Sequence, residues 1–64
     1  MRDANRIFPF CNKIAELWLQ YPDLRFGQLM VAYSSYLDIE QQKDVFYVED
    51  DEFIKGFEEY LKRL

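Results

Sequence analysis

The residues that could carry chemistry in this 64-residue chain are one run of acids and a single thiol. Glu49, Asp50, Asp51 and Glu52 are consecutive, and Cys11 is the only cysteine. A calcium loop of the EF-hand type needs oxygen ligands at alternating positions over about twelve residues, with a central glycine. The acidic run lacks that spacing. Consecutive acids are instead typical of a helix N-terminus, where they face the positive end of the helix dipole, so we predict no metal site.

Catalysis by the thiol would need a neighbouring base, and the chain has no histidine. Cys11 also falls on an apolar helical stripe, where a thiol behaves as a small hydrophobe, so we expect it in the core. Paired-carboxylate catalysis needs two acids across a cleft, and a chain this short offers little cleft. Neither Gly27 nor Gly56 begins a phosphate-binding loop. The sequence therefore predicts no enzyme, no cofactor and no small-molecule substrate.

The charge of the chain narrows the class of partner. The formal net charge is −4 and the isoelectric point is about 4.6. Nucleic acids and anionic membrane surfaces attract basic proteins, so direct binding to either is not expected. No apolar run approaches the roughly 20 residues that span a bilayer, and the N-terminal residues do not resemble a signal peptide. A lone cysteine suits a reducing compartment, which favours the cytoplasm.

The length predicts a single domain over residues 1–64, and the aromatic content bears on whether that domain has a binding surface. One tryptophan, five tyrosines and six phenylalanines are present. Each of these side chains can bury about 150–250 Å². Together they offer more apolar surface than so small a core can hide. One explanation is that tyrosines half-bury their rings, because scattered exposed apolar groups are normal. The other is that the surplus aromatics form a surface for a partner.

Helical periodicity predicts a first helix from about Ala4 to Gln20, with Asp3 as its cap. Pro9 interrupts the pattern, because proline inside a helix removes one hydrogen bond. Either the helix is kinked or made of two pieces, which we favour, or regular helix begins at Pro9. The apolar stripe and the two residues that widen it are Ile7, Cys11, Ile14, Trp18, Tyr21, Phe10 and Leu17.

A second helix is predicted from about Leu24 to Tyr36, after the helix-breaking Pro22 and with Asp23 as its cap. Its apolar stripe consists of Phe26, Leu29, Met30, Tyr33 and Leu37. Gly27 either marks a close approach between helices or is simply tolerated near a helix end. Arg25 faces the unfavourable end of the helix dipole, so we expect it to pair with Asp23 or with the acidic run, or to contact a partner.

Residues Asp38 to Asp44 are polar and are predicted to form a loop. Val45–Val48 has the composition of a strand but no pairing segment, so we expect an extended segment lying over the helices. The acids then begin a third helix that runs to about Arg63, with Gly56 on its polar side. The predicted fold is all-α: a small three-helix bundle with a short extended segment before the last helix.

The chain resembles a family of small proteins from bacteria and their phages, and more distantly the YihD-like proteins of enteric bacteria. The matching residues are Arg2-Asp3, Arg6-Ile7, Pro22-Asp23-Leu24-Arg25-Phe26-Gly27-Gln28-Leu29 and Phe46-Tyr47-Val48-Glu49-Asp50-Asp51. The chain departs from that pattern at Ala4, where proline is common, and at Pro9. The resemblance implies a helical cytoplasmic protein of bacterial or phage origin without an assigned activity. It also implies that the Phe46–Tyr47 segment lies across the second helix, with Glu49 or Asp50 near Arg25.

Two functions fit these observations. The first is a non-enzymatic protein-binding, adaptor or regulatory module whose partner is another protein or a second copy of itself. The alternative is a phage-encoded inhibitor of a host defence system, in the manner of an anti-CRISPR protein, acting in the host cytoplasm; acidic faces can occupy nucleic-acid-binding sites. The candidate partner-binding residues are Arg25, Gln28, Phe46, Tyr47, Glu49 and Asp50.

Overall fold

Three α-helices make up most of the structure, a computed structural model that describes residues 2–64. They are α1 (Ile7–Trp18), α2 (Phe26–Glu40) and α3 (Asp50–Leu61). A single 3-10 turn precedes α1 at Ala4–Arg6, and another precedes α3 at Val45–Tyr47. The described part of the chain contains no strand. The predicted all-α, three-helix fold is confirmed.

The start of the first helix is in two pieces, as the position of Pro9 predicts. The Asp3 carboxylate accepts a hydrogen bond of 2.9 Å from the backbone N–H of Asn5, which caps the Ala4–Arg6 turn. Regular helix begins at Ile7, so Pro9 is the third residue of α1. Backbone N–H groups in a first helical turn have no partner within the helix. The missing N–H of Pro9 therefore costs α1 little.

The second helix is shifted towards the C-terminus relative to its prediction. Its capping residue is Arg25, not Asp23, because the side chain of Gln28 reaches back and accepts a hydrogen bond of 2.8 Å from the Arg25 backbone N–H. The helix continues past Tyr36 to Glu40. It ends where Gln42 adopts a left-handed backbone conformation, with φ of 55°. Residues 38–40, predicted to be loop, thus form the last turn of α2.

The core lies between the three helices. Six side chains are buried there: Leu17, Leu29, Tyr33, Leu37, Phe57 and Leu61. Tyr33 lies at the centre, with its ring 5.0 Å from that of Phe53 and 5.1 Å from that of Phe57. Its hydroxyl donates a hydrogen bond of 2.9 Å to the carbonyl oxygen of Phe53. One aromatic side chain of α2 therefore contacts successive turns of α3.

A glycine allows this contact. A Cβ atom built on Gly56 would lie only 2.4 Å from the Tyr33 hydroxyl oxygen, whereas one built on Gly27 would have no neighbour within 4 Å. Gly56 therefore faces α2, and its prediction as a polar-side residue is wrong. Of the two alternatives for Gly27, the structure supports a tolerated glycine near a helix end.

The first helix and the residues that follow it bury most of the predicted apolar stripe. Leu17 is buried, and Ile14, Trp18 and Tyr21 pack against the core. Phe10 joins them, with its ring 5.7 Å from that of Phe53. Cys11 is exposed, so its prediction as a core residue is wrong. The apolar arc of α1 is wider than the surface that α2 and α3 cover, and Cys11 lies on the uncovered part.

The segment before α3 is extended at Asp44 and Val48 and has one 3-10 turn between them. The Asp44 carboxylate caps this turn by accepting a hydrogen bond of 3.0 Å from the Phe46 N–H. A 3-10 helix has three residues per turn, so residues three apart lie on the same side. Val45 and Val48 accordingly both pack against the core, while Phe46 and Tyr47 point outwards. The predicted contact between this segment and α2 is confirmed, with Val45 beside Met30 and Val31, but the rings of Phe46 and Tyr47 take no part in it.

The buried phenol of Tyr33 should make stability depend on alkaline pH. Burial, followed by the nearby Tyr36 and Glu59, raises the pKa of Tyr33 from 10.0 to about 12. The fold therefore favours the protonated phenol over the phenolate. The stabilisation of the folded state by this preference is fully present below pH 10 and is lost as pH rises towards 12. We expect the urea midpoint to fall over that window. Tyr33→Phe should show a shallower fall, and equal slopes for the two proteins would contradict this assignment.

Candidate protein-binding surface

Two of the three most exposed aromatic side chains of the described chain are adjacent. Phe46 is 81% exposed and Tyr47 is 78% exposed. Their ring centroids are 4.9 Å apart at an interplanar angle of 76°, which is the edge-to-face arrangement that aromatic pairs prefer. We call Phe46 and Tyr47 the aromatic pair. It presents two large apolar groups to solvent side by side.

The backbone beneath the aromatic pair is held at several points. The Tyr47 N–H donates to the Asp44 carbonyl oxygen at 2.9 Å, and the Val48 N–H donates to the Val45 carbonyl oxygen at 3.2 Å. Val45 and Val48 anchor the turn in the core on either side of the pair. A partner therefore meets side chains whose backbone is already ordered, which lowers the entropy cost of binding.

A shallow apolar groove adjoins the same turn. It has a volume of about 400 Å³. Its lining includes Val45 of the turn, Met30 and Val31 of α2, and Phe53 of α3. Val31 is 69% exposed, so an apolar ligand side chain would gain contact with it. We call this feature the Val45 groove. The surface therefore combines two protruding aromatic rings with an adjacent apolar groove.

The structure separates the six predicted site residues into three places. Phe46 and Tyr47 form the aromatic pair. Arg25 and Gln28 lie at the start of α2, where Gln28 caps the helix. Within residues 2–64, Arg25 forms no ion pair, so its predicted pairing with Asp23 or with the acidic run is wrong.

Glu49 and Asp50 instead bind the N-terminal arginines. Arg2 contacts Glu49 at 2.8 Å and Arg6 contacts Asp50 at 3.0 Å. The hydrogen bond that Arg2 donates to Glu49, followed by the negative charge of Glu49, raises the pKa of Arg2. These groups are about half exposed, so solvent and salt screen the pairs. Their clearest role is to hold the Ala4–Arg6 turn against the start of α3.

The remaining acids do not gather into a metal centre. No group of three or more Cys, Asp or Glu side chains within residues 2–64 could hold a metal ion. Glu52, the last of the acidic run, pairs with Lys43 at 3.7 Å. Most of the run is therefore balanced by cations from elsewhere in the chain.

A hollow of about 300 Å³ lies between α2 and α3, over Tyr33 and Gly56. Charged side chains surround it, and two of them, Lys43 and Glu52, pair with each other. No buried side-chain N or O atom in the described chain lacks a hydrogen-bond partner. The hollow thus shows no unsatisfied polar group that a small ligand would complete.

An exposed apolar row on α1 was missed in the sequence. Phe8 is 78% exposed and Leu19 is 73% exposed. Cys11 and Ala15, which lie between them along the helix, are exposed as well. We call these four residues the outer row. Their spacing of three, four and four residues is typical of one helix face, so the sequence does contain a signal for the row. The neighbouring stripe that begins at Ile7 has the same periodicity and was assigned in its place.

Comparisons with protein-family models, with curated proteins and with solved structures found no match. The resemblance to small bacterial and phage proteins therefore stays a prediction. Within residues 2–64, none of the helices combines the length and the apolar character that crossing a membrane requires.

Proposed function

We propose that this chain is a non-enzymatic protein-binding module that binds its partner with the aromatic pair and the Val45 groove. The exposure of Phe46 and Tyr47 on an ordered turn carries the proposal. Buried aromatic side chains dominate the energy of many interfaces, and truncating one such residue costs about 2 kcal/mol or more. A pair that is already in edge-to-face contact keeps that contact when a partner covers it.

The surface also limits the chemistry of the partner. A complementary ligand would place an apolar side chain in the groove and a flat apolar patch over the pair. Ser34 and Ser35 line the groove. A neighbouring polar hollow shares both serines and adds Asp38, Lys43 and Asp44, so polar groups on the partner can hydrogen-bond beside an apolar centre. The net charge of −4 favours a partner that is not strongly acidic.

The setting that we propose is the cytoplasm of a bacterial cell, or of a phage-infected host. The exposed thiol of Cys11 suits a reducing compartment, and the resemblance to bacterial and phage proteins supports the origin. The inhibitor alternative gains no support from the acidic run, because Glu49, Asp50 and Glu52 are paired with cations. It stays a prediction.

The proposal is tested by capture from bacterial lysate followed by titration of the purified partner. Phe46→Ala and Tyr47→Ala should each weaken binding at least about 30-fold, the equivalent of 2 kcal/mol. Both side chains are exposed, so stability should change by less than about 0.5 kcal/mol. The unfolding midpoint therefore separates loss of binding from loss of fold.

The matched control is Ile39→Ala, because Ile39 is 75% exposed on α2 and lines neither the groove nor the pair. It should bind as the wild type does. Arg25→Ala tests whether the start of α2 belongs to the same interface; on the present geometry it should bind normally. Unchanged affinity in both aromatic variants would exclude this surface as the binding site.

A further inference from the structure

The outer row of α1 is an apolar helix face that nothing in the described chain covers. Side chains on the adjacent row, Phe10, Ile14 and Leu17, pack towards α3 and the core. Phe8, Cys11, Ala15 and Leu19 face solvent, and Ile7 beside them is 48% exposed. None of these side chains carries a charge, whereas a solvent-facing helix side is normally polar.

The chain as a whole exposes more surface than its mass predicts. The accessible surface is 5137 Å². A folded monomer of 7.8 kDa is expected to expose only about 4,400 Å². The excess of about 750 Å² belongs to the whole chain, and the outer row shares it with other exposed apolar side chains such as Phe46, Tyr47 and Ile39.

We infer that the outer row is the contact between two copies of this chain, with the two α1 helices packed antiparallel about a two-fold axis. In a two-fold contact the same patch must complement itself. The outer row does so, because it has a large side chain at each end, Phe8 and Leu19, and two small ones, Cys11 and Ala15, in the middle. Antiparallel packing sets each Phe8 beside the Leu19 end of the partner, and each Cys11 opposite Ala15.

A hollow at one end of the row fits the side chain at the other. Ala15, Trp18, Leu19 and Pro22 line an apolar depression of about 350 Å³. In the antiparallel arrangement the exposed ring of Phe8 enters this depression on the second copy. The small side chains of Cys11 and Ala15 let the helix axes approach closely at the centre. The absence of charge along the row avoids like-charge contacts between two chains of net charge −4.

Mass measured against concentration tests the dimer. Sedimentation equilibrium of the full chain should give roughly twice 7.8 kDa at high concentration. Leu19→Lys places a charge in the contact and should raise the dimer dissociation constant at least about 30-fold. Because Leu19 is 73% exposed, the variant should keep its fold. Ile39→Lys, at an equally exposed site away from α1, should dimerise as the wild type does.

Disulfide trapping tests the antiparallel register. Ala15→Cys, combined with the native Cys11, should give a covalent dimer under mild oxidation, because residues 11 and 15 of the two copies lie opposite each other. Glu16→Cys is the control: it is the next residue along α1 but lies on the polar side, and it should give little covalent dimer. Equal trapping of the two variants would overturn the register.

A monomer at every concentration up to about 1 mM would overturn the dimer. So would equal dissociation constants for Leu19→Lys and Ile39→Lys. Capture of a different protein by the outer row, abolished by Leu19→Lys, would assign the face to that occupant and reject the dimer. The outcome is independent of the proposed function, because Leu19→Lys leaves Phe46 and Tyr47 intact and should still bind their partner.

Discussion

Replacing Phe57 with alanine should unfold a large fraction of the protein at room temperature. Phe57 is fully buried, and its ring lies 5.1 Å from that of Tyr33 and 6.0 Å from that of Phe53. Truncating a buried phenylalanine costs about 3–5 kcal/mol. A domain of this length has a total stability of only about 3–10 kcal/mol. Circular dichroism during urea unfolding should show a midpoint near zero or a large loss of helix without denaturant.

The matched control is the same substitution at an exposed site, Phe46→Ala. Because Phe46 is 81% exposed, its stability should stay within about 0.5 kcal/mol of the wild type. Phe57→Leu fills part of the volume and should fall between the two. A wild-type midpoint for Phe57→Ala would mean that α3 does not pack against Tyr33 as described.

Replacing Gly56 with alanine should destabilise the protein, although alanine normally favours a helix. The new Cβ would lie 2.4 Å from the hydroxyl oxygen of Tyr33. Either α2 and α3 move apart or the hydroxyl loses its hydrogen bond to Phe53. Overpacking of this kind costs about 1–3 kcal/mol, which exceeds the gain of up to about 1 kcal/mol in helix propensity. The urea midpoint measures the net loss.

Two further variants isolate the cause. Gly27→Ala, where a Cβ has no neighbour within 4 Å, should be neutral or stabilising by up to about 1 kcal/mol. Tyr33→Phe removes the clashing oxygen, and the next ring atom is at an ordinary contact distance of 3.5 Å. In that background Gly56→Ala should lose its penalty and become neutral or stabilising. A penalty that persists without the hydroxyl would place the conflict elsewhere.

The helices could be predicted from the sequence because their signals are local. The acids at the start of α3 and the spacing of Phe53, Phe57, Tyr60 and Leu61 define that helix without reference to the rest of the chain. The end of α2 was predicted too early, because Asp38 and Glu40 are polar. Buried Leu37 keeps the last turn packed, and polar residues are stable on its solvent side.

The exposed edge of the α1 stripe could not be predicted, because the apolar arc of the helix includes both the covered row and the outer row. Which half is buried depends on where α3 lies, and that depends on the contact between Gly56 and Tyr33. A periodicity count treats Cys11 and Leu17 alike. The outward direction of the aromatic pair depends on the 3-10 turn after Asp44. The strand-like composition of Val45–Val48 favoured an extended segment over a turn, although an aspartate before Val45 is a local capping signal.

The position of Trp18 gives this small protein a built-in optical probe. It is the only tryptophan; its indole N–H donates to the Leu24 carbonyl oxygen at 2.8 Å, and its ring lies 5.4 Å from that of Phe26. Its fluorescence therefore reports whether the connection between α1 and α2 is intact. Because the same ring lines the hollow beside Leu19, its emission also senses whether water or another side chain fills that space. Unfolding in denaturant tests the connection between α1 and α2, and dilution of the proposed dimer tests the hollow. Both use the same unlabelled chromophore.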